Sequence, residues 1–194
     1  TVNIGVIDSG FQTNHEDLDI TVVSKNNSSD NHGTHVAGII AAKQNNGVGS
    51  TGIVNKANLF GYTSKNKLTD TEVYNGLDIL VREYHCKTIN LSIGKPIYEF
   101  NNKLYQSANK INGLTDYEVN CWGTRASKEI ALLLKDKQDF IVIHAAGNGS
   151  QNKKIGLDAE NNGFFSSITP DNCYKKFSEV SVDDIMSRLL IVAN

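Results

Sequence analysis

Two periodicities alternate along this chain. Val2 to Ile7 is a short apolar run closed by a turn, and Ala57–Tyr62, Thr88–Ile93 and Phe140–His144 repeat the pattern. Such runs suit strands buried in a parallel sheet. Between them the apolar positions change to helical spacing. His32 opens a stretch that ends in Ala42, with Val36, Ile39 and Ile40 on one helical face, which predicts that this face is buried. Thr69 to Tyr84 carries Val73, Leu77, Leu80, Val81 and Tyr84 at helical intervals, and Thr69 and Glu72 stand at the spacing of a capping box. Pro96 can start a helix bearing Ile97, Phe100, Leu104, Ala108 and Ile111. Thr124 to Lys137 predicts another, with Ala126, Ile130, Leu133 and Leu134 turned inward. Residues 112–123, with Tyr117, Cys121 and Trp122, read as a loop, and 151–187 carry no clear pattern. Arg188 to Asn194 reads as a last strand, so the chain is expected to stop short of a complete C-terminus.

Strands that alternate with helices predict an α/β fold: a three-layer, doubly wound domain with a mostly parallel sheet and right-handed crossovers. At 194 residues the chain reads as one domain, 1–194, with 95–123 as an insertion within it. A formal net charge of −2 without long runs of like charge gives no electrostatic case for nucleic acid or an anionic membrane surface. No apolar run is long enough for a transmembrane helix. The start, Thr-Val-Asn-Ile-Gly-Val-Ile, lacks a signal peptide's basic region, as in a mature or trimmed chain. The three cysteines, Cys86, Cys121 and Cys173, form no CxxC pair; one disulfide would leave a thiol over.

The polar residues at the strand ends carry the candidate chemistry. Asp8 stands at the C-terminal tip of the first strand, followed by Ser9 and Gly10. Sites in open α/β sheets gather at that edge, although Asp-Ser-Gly is also an ordinary turn. Asn90 and Ser92 are polar insertions in an apolar strand; they either hydrogen-bond inside the core or meet a ligand. Asn148 follows Ala145, Ala146 and Gly147 at another strand end. His32 sits where a helix begins, beside the positive end of its dipole, which favours a neutral ring able to accept a proton. Asn26-Asn27-Ser28 is a glycosylation sequon in a polar loop. Gly47, Gly49 and Gly52 spell GxGxxG, but a helix precedes them and a strand follows, the reverse of a dinucleotide loop.

Val6-Ile7-Asp8-Ser9-Gly10, His32-Gly33-Thr34-His35-Val36-Ala37-Gly38, Ile89-Asn90-Leu91-Ser92-Ile93-Gly94 and Ala145-Ala146-Gly147-Asn148, in that order, resemble the subtilisin-like serine peptidases, or subtilases. The resemblance implies a subtilisin-like fold and a serine endopeptidase. Asp8 would orient the imidazole, His32 would act as general base and acid, and Asn148 would donate to the oxyanion. Ser92, Ile93 and Gly94 would pair with an extended peptide or protein substrate, and Ala145, Ala146 and Gly147 would line its primary pocket. The resemblance also implies a secreted or extracytoplasmic zymogen whose prodomain is removed.

The sequence departs from the family where the nucleophile should be. No Gly-Thr-Ser-x-Ala segment follows Asn148, and Gly123-Thr124-Arg125-Ala126-Ser127 precedes it, with Ser127 on a helix. The serine is therefore expected from residues absent from this chain, including a C-terminal fragment of the same precursor. The alternative is a catalytically inactive peptide-binding module. The resemblance implies catalysis without a cofactor. Calcium is the structural ion to consider, since Asp17 matches a ligating position, but the Asn45–Gly52 loop departs from the family's calcium loop, and one carboxylate is far from roughly six to eight oxygens. A metal hydrolase built on His32 and His35 lacks a third ligand and a HExxH glutamate.

Overall fold

The computed structural model describes residues 1–64, 68–94, 116–148 and 163–193. They fall into two compact units, Thr1–Ser92 with Asp139–Val142, and Ile93–Gln138 with Ile143–Asn194. In the first unit β1 (Val2–Ile7), β2 (Ile20–Val22), β3 (Ala57–Tyr62) and β4 (Thr88–Leu91) lie in the order β2-β3-β1-β4. β1 pairs in parallel with β3, from Val2 opposite Ala57 to Ile7 opposite Tyr62, and with β4, Val6 facing Asn90. β2 lies parallel to β3, with Ile20 opposite Leu59. β5 (Ile141–Ala145) and then β6 (Leu189–Val192) continue the order, so the six strands form the sheet of an α/β fold. β2, at three residues, is too short to leave a period in the sequence.

Helices supply the crossovers that parallel neighbours need. α1 (Asn31–Ala41) lies between β2 and β3 in the chain, and α2 (Asp70–Arg82) between β3 and β4. The Thr69–Glu72 capping box is formed, and Val73, Leu77, Leu80 and Val81 are buried as their spacing predicts. α1 differs from the expectation. Its buried residues are Gly33, Thr34 and Ala37; Val36 and Ile40 pack only partly against the core, and Ile39 is 52% exposed. Close approach, more than hydrophobicity, selects this face. A Cβ at Gly33 would overlap the Gly10 carbonyl and touch Asp8 Cβ and Phe11. Ile4, Val6, Phe11, Leu18, Ile20, Ala37 and Leu59 form the core cluster there.

In the second unit α3 (Asp116–Lys135) packs against a 3-10 turn (Phe164–Ser167) and α4 (Val182–Met186). α3 begins well before Thr124, so residues 116–123 are helical and not loop. Gly123 lies inside this helix and is needed for contact: a Cβ there would strike the Asn172 side chain. The helix expected from Pro96 to Ile111 lies outside the described residues, as do residues 95–115 of the expected insertion. Cys86, Cys121 and Cys173 are free thiols, and burial pushes the Cys86 thiol up to about 12.

Candidate active site

Asp8 continues β1 by one residue, and its backbone N–H still donates to Tyr62 O at 3.1 Å. The side chain is completely buried, and its Oδ1 collects three hydrogens. Ser9 N donates at 2.7 Å, Ser9 Oγ at 3.0 Å and His32 Nδ1 at 2.7 Å. An ionised carboxylate can only accept, so the proton on a neutral His32 ring sits on Nδ1 and leaves Nε2 as acceptor. The ring is 54% exposed while the carboxylate is fully enclosed. Asp8 Oδ2 is buried without a partner among the described residues.

Local contacts that leave no periodic trace hold this pair. Asp30 caps α1 by accepting from His32 N at 2.7 Å, which places the ring in the first turn. Asp two residues ahead of the histidine is the signal that could have set this helix start. Thr34 Oγ1 donates to Asp30 O at 2.6 Å and accepts from Gln12 N at 2.9 Å. Asn27 grips both backbone groups of Phe11: its Nδ2 donates to the carbonyl at 2.8 Å and its Oδ1 accepts from the N–H at 3.1 Å. The loop after Asp8 is thereby tied to the loop before α1.

The other expected site residues follow β4 and β5. Asn90 Nδ2 donates to Ser92 Oγ at 2.9 Å, so these two polar side chains satisfy each other. Ser92 closes the first unit; Ile93 and Gly94 open the second. Ala145, Ala146, Gly147 and Asn148 also belong to the second unit, where Ala146 N donates to Val192 O at 2.8 Å and Gly147 and Asn148 are exposed. Ser127 is buried in α3, donating to Thr124 O at 3.1 Å and accepting from Tyr174 N at 2.9 Å, which is a structural role.

His144 ends the apolar run Phe140–His144, and no spacing marks it as special. It lies at the end of β5, is completely buried, and uses both ring nitrogens. Ser166 N donates to Nδ1 at 3.1 Å, and Nε2 lies 2.9 Å from Ile93 O. Burial drives its pKa down to about 4, against the opposing pull of the Ile93 carbonyl.

Asp17 does not fit a calcium ion. Its Oδ1 accepts from Asn46 Nδ2 at 2.7 Å and its Oδ2 from Ser50 N at 2.9 Å. Asn46 Oδ1 accepts from Val48 N at 3.1 Å, which fixes the direction of that amide. N–H groups therefore point where a cation needs oxygens. The Ser50 N–H, then the Asn46 amide, hold the Asp17 carboxyl below its ordinary range. His35 lines a cleft with Asp17 and Thr34, and among the described residues no three His, Cys, Asp or Glu side chains cluster as a metal site. Among them too, no helix is long and apolar enough to cross a membrane.

Residues 1–181 match the family model Peptidase_S8, described as the Subtilase family. Thermitase from Thermoactinomyces vulgaris is 35% identical over 118 residues, covering 55% of this chain and 41% of that protein. Subtilisin E from Bacillus subtilis (strain 168) is 33% identical over 106 residues, covering 49% of this chain and 27% of that protein. The chain thus spans less than half the length of either relative. The A-subunit of the AB5 toxin from E. coli matches with a TM-score of 0.54 at 15% identity, over 98% of this chain and 55% of that one. At that identity the likeness concerns the fold alone.

Proposed function

This chain belongs to the subtilase family, and from that premise we propose that it carries the acid and the base of a serine endopeptidase. One observation carries the reading: the 2.7 Å bond from the exposed His32 ring to a fully buried carboxylate, Asp8. In this reading His32 Nε2 takes the proton of an attacking serine hydroxyl and later returns it to the leaving amine. Asp8 keeps the proton on Nδ1 and stabilises the imidazolium. Asn148 donates to the tetrahedral oxyanion, a contribution whose removal costs about 10² to 10³ in kcat.

Ser92, Ile93 and Gly94 receive the substrate as an added strand, and Ala145, Ala146 and Gly147 border its side-chain pocket. The substrates are peptides or proteins in extended form, and the setting is extracytoplasmic. Both statements rest on family resemblance. No Gly-Thr-Ser-x-Ala segment follows Asn148 in the sequence, so the attacking serine is assigned to residues outside this chain.

A serine-directed fluorophosphonate tests the assignment. The chain alone should remain unlabelled, and a longer polypeptide that adds the serine segment should label and lose labelling on His32→Ala. Labelling of the chain alone that depends on His32 would show that the nucleophile lies within it. A longer polypeptide that binds peptide but never labels would favour the inactive binding module.

A further inference from the structure

His144 is a buried titratable side chain that the peptidase reading leaves unused. A leucine could fill such a site with no polar group to satisfy, whereas an imidazole there must find two partners. Both are present, and together they fix the ring's chemistry. The Ser166 N–H can only donate, so Nδ1 is the lone pair; the Ile93 carbonyl can only accept, so Nε2 carries the proton. Phe164 and Phe165 stand edge-on to the ring at 6.2 and 6.4 Å and keep it from swinging away. Phe164 opens their turn at a φ of 48°, a left-handed conformation unusual for a bulky residue.

We propose that His144 is a positioning residue, whose Nε2–H draws the Ile93 carbonyl inward and so presents the backbone of Gly94 to a peptide substrate. In extended backbone, successive residues turn their N–H and C=O groups to opposite sides. With the Ile93 carbonyl committed to His144, the groups of Gly94 face the other way, the side on which an incoming strand can pair. The inference rests on the reading of residues 92–94 as the substrate strand.

Variants at position 144 separate the two ends of the ring. A glutamine reaches as far as Nε2 and can still donate to Ile93 O. An asparagine reaches only as far as Nδ1, so it can serve Ser166 N but not Ile93. The experiment is an NMR titration of the chain with the blocked peptide acetyl-Ala-Ala-Ala-Ala-amide, read at the Gly94 amide, with thermal unfolding as the check on folding. The expected result is a Gly94 response in the wild type, retained in His144→Gln and at least tenfold weaker in His144→Asn. An asparagine variant that binds as well as the wild type overturns the role of His144 while leaving the substrate strand in place. A wild-type chain without a Gly94 response overturns the substrate-strand reading, and this inference with it.

Discussion

His32 can pass a proton in one direction only while its other nitrogen is held. Asp8 holds it, with Ser9 donating twice to the same oxygen. Asp8→Asn keeps the volume, and the two Ser9 donors keep its Oδ1 as the acceptor facing the ring, but the negative charge that stabilises an imidazolium is gone. Long-range proton–nitrogen NMR on this chain should show the His32 proton still on Nδ1. In a complete enzyme, peptide hydrolysis should fall by about 10⁴ in kcat, with little change in KM. Asp8 and His32 were legible because each stands in a distinctive run of residues at a strand or helix end. The contacts of Ser9, Asn27 and Thr34 were not, because loop contacts are set by tertiary geometry that no spacing encodes, whereas the Asp30 cap is local and stands two residues before His32. His144 was hidden for a related reason: it continues an apolar run, and only the fold reveals which carbonyl lies opposite.

α1 tests how closely an element can be pressed against its neighbours. Gly33→Ala should gain up to about 1 kcal/mol in helix propensity. The new methyl, however, has to enter space held by the Gly10 carbonyl, with Asp8 Cβ only 3.0 Å away. Overpacking of this kind costs about 1 to 3 kcal/mol, so the net expectation is destabilisation, with α1 pushed outward and the His32–Asp8 bond lengthened. Thermal unfolding and the His32 tautomer signal would register both effects. At α2, Thr69→Ala should cost about 1 kcal/mol through loss of the cap, as measured by urea unfolding. α2 was legible because one face meets the core and its cap at Thr69 is local, although Tyr84, expected on the same stripe, lies beyond the helix end at Arg82 and is half-buried. α1 departs from its apolar spacing because large side chains are a poor guide where the smallest ones touch. α3 starts earlier than its apolar spacing shows, and Gly123 within it serves contact with Asn172.

For the whole molecule, acid has a definite sign. His144 has a folded pKa of about 4 against an ordinary 6.5, so between those values the unfolded chain binds the extra proton. Its contribution is complete above about pH 6.5 and is lost as pH falls toward 4, on the order of 3 kcal/mol. The carboxyls of Asp17 and Glu72, both held low, act in the same direction at lower pH: their stabilisation is present above the ordinary carboxyl range and disappears on acidification. Urea unfolding of wild type and His144→Gln at pH 7, 5 and 4 isolates the histidine, since the glutamine variant should lose less stability between pH 7 and 4. Fold class was legible at this scale because alternating periods already imply parallel strands with helical crossovers. The short β2 and the polar segment before Arg188 were not, since neither carries a period long enough to read.

The grip of Asn27 on Phe11 bears on how the molecule ages. Spontaneous deamidation would turn that side chain into a carboxylate and replace its N–H donor with an oxygen facing the Phe11 carbonyl at 2.8 Å. Two acceptors would then repel each other three residues after Asp8. The sheet and α1 would survive, but the loop carrying the acid would come loose. Asn27→Asp reproduces this damage, and faster amide hydrogen exchange at Phe11 with an unchanged unfolding transition would be its signature.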